Sequence, residues 1–262
     1  MDHAAEQVAY FSSIDRGPRW RWQVEDPFVR ERELASLRPL IDLILKKQAE
    51  QPEVRVMESG CGDGTNFVHL QSAGIGGGVR LEGVDLTPRV VEEGRKRGMD
   101  IRLGDGLTLP YADATFDITY CRDVFHHLAD DEARKKFFLE MRRVTKPDGA
   151  VFAIEPNAWN PAIFGLGLLV HAERGLWAIS EGRFARLLPG AAVTAVSPSA
   201  AWRIWYHYRS PLYASPAMRS VARLALHAWE KGCASLPRAF WSYRVYQWSG
   251  SLPAQHDAAR LQ

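Results

Sequence analysis

Residues 54–67 read VRVMESGCGDGTNF, and this stretch decides the fold class. A short run with β-branched residues ends at Glu58 and is followed by glycines at positions 60, 62 and 64. Glycine has no Cβ, so the chain can turn tightly and a ligand can approach the backbone just before a helix begins. The stretch therefore predicts a strand, a glycine-rich turn and a helix whose N–H groups face a ligand.

The alternation of short strands and helices continues as far as Glu155. The runs RLEGVD, IRL, DITYC and AVFAIE predict strands, and TPRVVEEGRKRG and DDEARKKFFLEMRRVTK predict helices between them. In the helix after Asp130, the apolar residues Phe137, Met141 and Val144 recur at helical spacing. This order predicts an α/β fold, a Rossmann-like doubly wound sheet of about seven strands with helices on both faces.

The flanking segments divide the chain into three parts. Residues 1–53 are expected to be a helical segment, in which residues 26–47 carry an apolar face that closes over a ligand site or packs on the sheet. Residues 54–157 form the predicted core. Residues 158–262 are expected to form a helical cap and the final strands, at residues 192–197 and 242–248, with a helix at residues 216–232. The apolar face of the first helix is made by Leu34, Leu37, Ile41, Ile44 and Leu45.

Size and composition indicate an ordinary globular protein. The 262 residues are 46% hydrophobic and 24% charged, enough for one sizeable core. No apolar run approaches the roughly 20 residues that span a bilayer, and the N-terminus lacks a basic start followed by an apolar stretch, so a cytoplasmic protein is expected. Cys61, Cys121 and Cys233 show neither disulfide nor zinc-ligand spacing, which indicates buried free thiols and no metal site.

The two halves of the chain carry opposite charge. Residues 1–156 have a net charge of −5, whereas residues 157–262 have a net charge of +7 and contain seven of the nine tryptophans. A basic, aromatic-rich surface suits an anionic, aromatic or membrane-interface partner. The alternative is a buried aromatic core with solvated arginines.

The spacing of the glycine turn distinguishes between cofactor classes. A nicotinamide fingerprint, GxGxxG, would place glycine at position 65, where Thr65 stands. The turn instead reads GxGxG and follows the acid Glu58. An acid at that place favours a cofactor with a cationic amino-acid tail, because it would repel a pyrophosphate.

Two later acids follow predicted strands. Asp85 ends the second strand, where it either accepts hydrogen bonds from both hydroxyls of a ribose or caps the helix that begins after Thr87 and Pro88. Asp105 follows the third strand, where it can contact an adenine amino group. Both acids are expected at the same edge of the sheet as the glycine turn.

Taken in order, ESGCGDG, GVDLTP, GDGLTLPYADATFD, CRDVFHHL and MRRVTKPDGAVFAIEPN resemble the class I S-adenosylmethionine-dependent methyltransferases with a type 11-like domain, the broad group that includes small-molecule and quinone methylases. The resemblance covers residues 54–157 and implies methyl transfer from S-adenosylmethionine. It implies these contacts: Glu58, Gly60, Cys61, Gly62 and Gly64 at the methionine end, Asp85 and Leu86 at the ribose, Asp105 and Gly106 at the adenine, and Cys121 and Arg122 beneath the sulfonium.

Candidates for catalysis and acceptor binding follow the fourth and fifth strands. His126 or His127 can remove a proton from a hydroxyl or phenol near neutral pH, unless one packs in the core and the other faces solvent. Glu155 and Asn157 either orient the acceptor or only fix the turn after the fifth strand. By analogy alone, Tyr10 closes the site from the N-terminal segment.

The acceptor is expected to be a small lipophilic or aromatic molecule and not a nucleic acid, because the basic half is interrupted by apolar stretches and lacks a motif for a flipped base. The tryptophans of residues 157–248 are predicted to wall the acceptor site. Arginines such as Arg203, Arg209, Arg219 and Arg223 are predicted to hold an anionic head group or to rest on an acidic membrane surface. The alternative functions are a methyltransferase-like binding or regulatory module without turnover and, third, a nicotinamide oxidoreductase.

Overall fold

The computed structural model describes residues 3–14, 16–169 and 171–250. The ends of the expected N-terminal segment and cap, residues 1–2 and 251–262, lie outside the described residues.

A seven-stranded sheet forms the centre of the structure, as the sequence predicts. Its strands lie in the order β3-β2-β1-β4-β5-β7-β6. Strands β1 to β5 pair in parallel, and β7 pairs antiparallel with both β5 and β6. The strands are β1 (Val54–Ser59), β2 (Val79–Asp85), β3 (Ile101–Leu103), β4 (Phe116–Arg122), β5 (Thr145–Pro156), β6 (Ala192–Val196) and β7 (Tyr243–Ser249). The fold is a mixed Rossmann-like α/β sheet.

The helices before and between the first five strands cover both faces of this sheet. They are α1 (His3–Ser13), α2 (Arg16–Trp20), α3 (Pro27–Glu50), α4 (Thr65–Ser72), α5 (Pro88–Lys96) and α6 (Asp131–Val144). A short π-helix, Arg21–Glu25, joins α2 to α3, and a 3-10 turn, Phe125–His127, follows β4. The sequence pattern predicts α3 to α6 but gives no separate signal for α1 and α2.

Strand alternation explains the two main core layers. Met57 packs on one face with Phe137 and Met141 of α6, whereas its neighbour Val56 packs on the other face with Leu37 of α3. Of the two alternatives for α3, packing on the sheet is therefore confirmed for most of its apolar face. Leu45 differs from the expected pattern, because it is exposed.

The cap consists of short helices and the antiparallel edge of the sheet. Its elements are α7 (Pro161–Leu169), a 3-10 helix at His171–Ile179, α8 (Glu181–Leu187), α9 (Ala201–Trp205), α10 (Pro211–Ala214), α11 (Pro216–Ala234) and a 3-10 turn at Arg238–Phe240. The cap packs directly on the N-terminal segment. Trp22 Nε1 donates to the carbonyl of Tyr206 at 2.8 Å, and the Tyr206 hydroxyl donates to Asp26 Oδ2 at 3.0 Å.

Within the described ranges, every helix is too short or too polar to cross a membrane.

Candidate active site

One cavity of about 500 Å³ lies at the carboxyl ends of β1, β2 and β4. Loops that follow parallel strands meet at this edge, which is where open α/β sheets bind ligands. The volume is in the range of small-molecule sites. The lining residues from the core include Gly60, Cys61, Gly62, Asn66, Asp85, Leu86, Asp105, Gly106, Arg122, His126 and His127. Those from the N-terminal segment include Tyr10, Phe11 and Glu33, and those from the cap include Ala162, Ile163, Leu176, Arg203, Ile204 and Tyr243.

The glycine turn between β1 and α4 requires glycine at two positions. Gly60 has a φ of +77°, and a Cβ on it would lie 2.5 Å from Val124 Cγ2. Gly64 has a φ of +78° and precedes the first residue of α4, where a Cβ would lie 2.8 Å from Met99 Cγ. Gly60 lines the cavity, but Gly64 does not. The turn thus leaves a cradle of bare backbone at the cavity, and Gly64 serves to start the helix.

Asp85 braces this turn and also lines the cavity. Its Oδ2 accepts a hydrogen bond from the Gly62 N–H at 2.8 Å, and its Oδ1 accepts one from the Thr87 N–H at 2.8 Å. A carboxylate has about four acceptor sites, so acceptor capacity remains on both oxygens. The two interpretations of Asp85 are therefore compatible: the same carboxylate holds the loop and offers acceptors to a ligand.

Asp105 and Gly106 line the cavity from the loop after β3. Asp105 Oδ1 accepts a hydrogen bond from the Leu107 N–H at 2.8 Å, which fixes the carboxylate in the loop. A Cβ on Gly106 would overlap the Phe137 ring of α6. Glycine at this position lets the loop approach α6 closely enough to hold Asp105 at the cavity.

Glu58 differs from its expected place. The side chain is buried and does not line the cavity. Asn66 Nδ2 donates to its Oε1 at 2.6 Å, and the Tyr120 hydroxyl donates to its Oε2 at 2.8 Å. Burial raises the pKa of Glu58 to about 7, although these hydrogen bonds oppose the rise. Asn66 does line the cavity, so Glu58 contacts the cavity wall from behind and is not part of it.

Strand geometry separates Cys121 from Arg122, which were both expected beneath the ligand. Successive residues of β4 point to opposite faces. Cys121 is fully buried in the core layer that contains Phe137, and it is not part of the cavity wall. Arg122 lines the cavity, and its NH1 donates to Asn66 Oδ1 at 3.0 Å. Only the arginine is placed to contact a ligand.

Glu33 of α3 joins two arginines at the cavity, an arrangement that sequence reasoning missed. It forms an ion pair with Arg122 and a second with Arg203 of α9, whose NH2 lies 3.0 Å from Glu33 Oε2. Burial opposes ionisation of Glu33, but the two guanidinium groups outweigh it and lower its pKa to about 2. The available signal was a charged residue one helical turn before Leu37 on an apolar face.

His126 is held in place by Glu155. The two side chains approach at 2.8 Å between His126 Nδ1 and Glu155 Oε2, and both are buried. Glu155 Oε1 accepts hydrogen bonds from the N–H groups of Val124 and Phe125, both at 2.9 Å. Glu155 does not line the cavity, whereas His126 does. The carboxylate therefore orients the imidazole and the turn that carries it.

His127 also lines the cavity, next to the N-terminal helix. Its ring centroid lies 4.0 Å from that of His126 and 5.2 Å from that of Phe11 in α1. Tyr10 lines the same cavity and remains 39% exposed, as a residue at a cavity mouth would. Arg89 of α5 holds α1 in place by donating to the carbonyl of Ser12 at 2.6 Å.

Asn157 lies outside the cavity and fixes the turn after β5. Its Nδ2 donates to the carbonyls of Ala239 and Trp241 at 2.8 and 2.7 Å, and its Oδ1 accepts from the Trp159 N–H at 3.1 Å. The side chain is buried by these contacts. This geometry supports the interpretation that Asn157 only fixes the turn after the fifth strand.

The cap side of the cavity lacks the tryptophan wall predicted by composition. None of the seven tryptophans of the described cap lines the cavity. Trp202 and Trp248 are buried, and Trp159, Trp205 and Trp229 are exposed. The cap contributes smaller apolar groups instead, because its short helices turn other faces inward. These groups are Ala162, Ile163, Leu176 and Ile204.

The comparisons with known proteins agree with this architecture. A model of the methyltransferase domain family matches residues 57–153. Probable tRNA methyltransferase 9B of Mus musculus is 33% identical over 102 residues, which cover 39% of this chain and 22% of that protein. Norajmaline N-methyltransferase of Rauvolfia serpentina is 31% identical over 104 residues, which cover 37% of this chain and 34% of that protein. The chain thus spans about a third or less of these relatives.

A solved structure resembles the whole described fold. It is that of geranyl diphosphate C-methyltransferase from Streptomyces coelicolor A3(2), crystallised with Mg²⁺, geranyl diphosphate and S-adenosyl-L-homocysteine. The TM-score is 0.54, the identity is 14%, and the alignment covers 96% of this chain and 99% of that chain. At this identity the likeness is one of fold.

Proposed function

Because residues 57–153 are a methyltransferase domain of the class I S-adenosylmethionine-dependent family, we propose that this enzyme methylates a small acceptor that is apolar or aromatic. One observation carries the proposal. A single cavity is lined both by the glycine turn with Asp85 and Asp105 and by apolar side chains of the cap. A cofactor and an apolar acceptor would therefore share one cavity.

The residues at the sheet edge suit the cofactor. The bare backbone at Gly60 and Gly62 allows close approach of its methionine end, and Asp85 and Asp105 offer carboxylate oxygens to ribose hydroxyls and an adenine amino group. Arg122, held by Glu33, lies at the same cavity. When bound, S-adenosylmethionine supplies an electrophilic methyl group on a cationic sulfonium sulfur. The chain's main task is then to hold the acceptor in line with that group.

The histidines after β4 provide the proton acceptor. For a hydroxyl acceptor, His126 would take the proton that the acceptor oxygen loses when it is methylated. Glu155 favours this step, because its negative charge beside Nδ1 stabilises the protonated imidazole. His127 is the alternative proton acceptor, since it lines the same cavity.

A survey of methyl acceptors tests the proposal. The full chain is incubated with S-adenosylmethionine and with apolar phenols, apolar amines, polar small molecules or unmodified tRNA, and release of S-adenosylhomocysteine is measured. Turnover with apolar small molecules is expected. Turnover with tRNA alone would overturn the acceptor class, and cofactor binding without any product would favour the non-catalytic binding module.

A pair of variants on one helix tests the apolar wall. Ile163→Ser replaces a buried α7 side chain that lines the cavity, whereas Leu168→Ser replaces an exposed one on α7 that does not. We expect Ile163→Ser to raise KM for the acceptor about tenfold without changing cofactor affinity, because a buried apolar contact is lost. Leu168→Ser should leave both unchanged. Equal KM values in the two variants would remove α7 from the acceptor site.

A further inference from the structure

Helix α11 presents an apolar strip that the described structure leaves exposed. Of its nineteen residues, Ala222 and Leu226 are the buried pair. Met218, Val221 and Leu224 are 42%, 61% and 75% exposed. Residues three apart are neighbours on a helix surface, so these three side chains form one strip. Met218 lies one turn before the buried Ala222, whereas Val221 and Leu224 point away from the buried pair.

The neighbouring helix α9 exposes apolar groups as well. Helix α9 packs against α11, and its Ile204 and Trp205 are 46% and 59% exposed. Trp229 of α11 donates Nε1–H to Ser199 Oγ at 3.1 Å, directly before α9, and its ring is mostly exposed. Ile204 also lines the cavity. Of the two exposed apolar groups of α9, Ile204 therefore lies at the cavity, and Trp205 lies beside it in the chain.

Positive charge surrounds these helices. Residues 201–240 contain six Lys/Arg and one acid, Glu230. Glu230 pairs with Arg32 of α3, and Arg203 and Arg223 pair with Glu33 and Asp26 of the N-terminal segment. The positive charge offered by this surface therefore comes from the other four cations, Arg209, Arg219, Lys231 and Arg238. Lys231 in the last turn of α11 and Arg238 just beyond it are both exposed. Exposed apolar side chains, tryptophan rings and cations together are typical of a surface that lies on a membrane interface.

We propose that the exposed faces of α9 and α11 dock this protein on a bilayer that contains anionic lipid. Charge complementarity selects this occupant, since anionic head groups attract the cations beside the apolar strip. A second copy of the chain would bring two positive surfaces together, which costs free energy. Docking through α9 turns the cavity mouth towards the bilayer. The proposal does not depend on which acceptor is methylated, because its test measures binding to vesicles.

Vesicle co-sedimentation of the full chain tests the docking. Vesicles of phosphatidylcholine alone are compared with vesicles that also contain phosphatidylserine, at low and high salt. Binding is expected only with phosphatidylserine, and salt should weaken it because the charges are solvent-exposed. The absence of binding to either vesicle, or equal binding to both, would overturn the proposal.

Two double variants with a matched control locate the surface. Val221→Ser with Leu224→Ser removes the centre of the strip and should weaken vesicle binding about tenfold or more. Leu45→Ser with Leu139→Ser changes two exposed leucines on α3 and α6 and should bind as the wild type does. Lys231→Glu with Arg238→Glu tests the charge without touching the strip and should abolish selectivity for phosphatidylserine.

Light scattering tests the alternative that the strip is a contact between two copies of the chain. If the wild-type chain is a dimer that becomes monomeric in Val221→Ser with Leu224→Ser, and vesicle binding is unchanged in both double variants, the strip is a contact between copies and the membrane proposal fails. Circular dichroism of each variant shows whether α11 has folded. Should the apolar variant not fold, the charge-reversal variant alone decides.

Discussion

His126 Nδ1 and Glu155 Oε2 lie 2.8 Å apart, and neither side chain is more than 4% exposed. Glu155 comes from the end of β5 and His126 from the turn after β4, so the contact depends on the pairing of these two strands. A carboxylate at Nδ1 favours the tautomer with the proton on that nitrogen. The geometry therefore points the other ring nitrogen away from Glu155.

Glu155→Gln tests this relationship. The amide is nearly isosteric and keeps an oxygen for the Val124 and Phe125 N–H groups, but it no longer stabilises a protonated His126. We expect kcat to fall about 10- to 100-fold and cofactor affinity to stay within about twofold. The pH–rate profile should shift, with the apparent pKa of the base lowered. An unchanged profile would mean that Glu155 only fixes the turn.

Asp85→Asn tests the cofactor contact. The amide can keep one backbone hydrogen bond, from Gly62 or Thr87, but it loses charge and acceptor capacity towards ribose hydroxyls. Binding of S-adenosylhomocysteine, measured by calorimetry, should weaken by about 1 to 3 kcal/mol. Thermal unfolding without ligand separates this loss from a weaker turn. Wild-type affinity in the variant would remove Asp85 from the cofactor site.

The strands, their order of appearance and the ligand edge could be predicted from sequence because they follow from local patterns. Asp85 lines the cavity because it ends a strand, and every strand end of a parallel sheet reaches the same edge. Glu58 also ends near that edge, but its neighbours Asn66 and Tyr120 enclose it. Which strand-end acid reaches a ligand depends on such packing, which a motif does not encode.

Long-range pairs were beyond sequence reasoning for the same reason. Glu33 and Arg203 are separated by 170 positions and meet only because α9 folds back on α3. The tryptophans illustrate the opposite error. Their number in the later half suggested an acceptor wall, but composition carries no direction, and the cap turns Trp159 and Trp205 outward.

Glu33→Gln should destabilise the protein. The charge of Glu33 compensates the guanidinium groups of Arg122 and Arg203, and its loss leaves Arg122 buried without a full counter-charge. Removal of one partner of a buried ion pair typically costs about 3 to 5 kcal/mol, which urea unfolding at neutral pH will measure.

The difference in stability between the wild type and Glu33→Gln should depend on pH. Because the folded pKa of Glu33 is lowered from 4.5 to about 2, its contribution to the free energy of unfolding is fully present above pH 4.5. It is lost as the pH falls towards 2. Wild type and Glu33→Gln should therefore converge in stability across this interval, and a constant difference would contradict the role of charge.

The contribution of Glu58 to the free energy of unfolding has the opposite pH dependence, which Glu58→Gln tests. Burial raises the folded pKa of Glu58 from 4.5 to about 7, so the folded state keeps a proton that the unfolded state releases between these values. The wild type should lose about 3 kcal/mol of unfolding free energy as the pH rises from 4.5 to 7, relative to Glu58→Gln. Denaturation at a series of pH values measures this. Parallel curves for the two proteins would show that burial does not raise the pKa of Glu58.

Gly60→Ala should weaken cofactor binding at the glycine turn, although the substitution changes no polar side chain. At a φ of +77° a side chain strains the backbone, and the new Cβ would lie 2.5 Å from Val124 Cγ2. Val124 precedes the 3-10 turn that carries His126, and its N–H is held by Glu155, so relief of the clash displaces the cradle, the histidine turn or both.

Gly77→Ala is the matched control, because a Cβ there meets no atom within 4 Å. We expect Gly60→Ala to lower affinity for S-adenosylhomocysteine about tenfold or more, since the strain alone costs about 1 to 2 kcal/mol. Gly77→Ala should bind as the wild type does. Calorimetry on both variants, with thermal unfolding to show that each is folded, measures the difference. Equal affinities would mean that the backbone at Gly60 does not contact the cofactor, and the cradle would have to be placed elsewhere along the cavity.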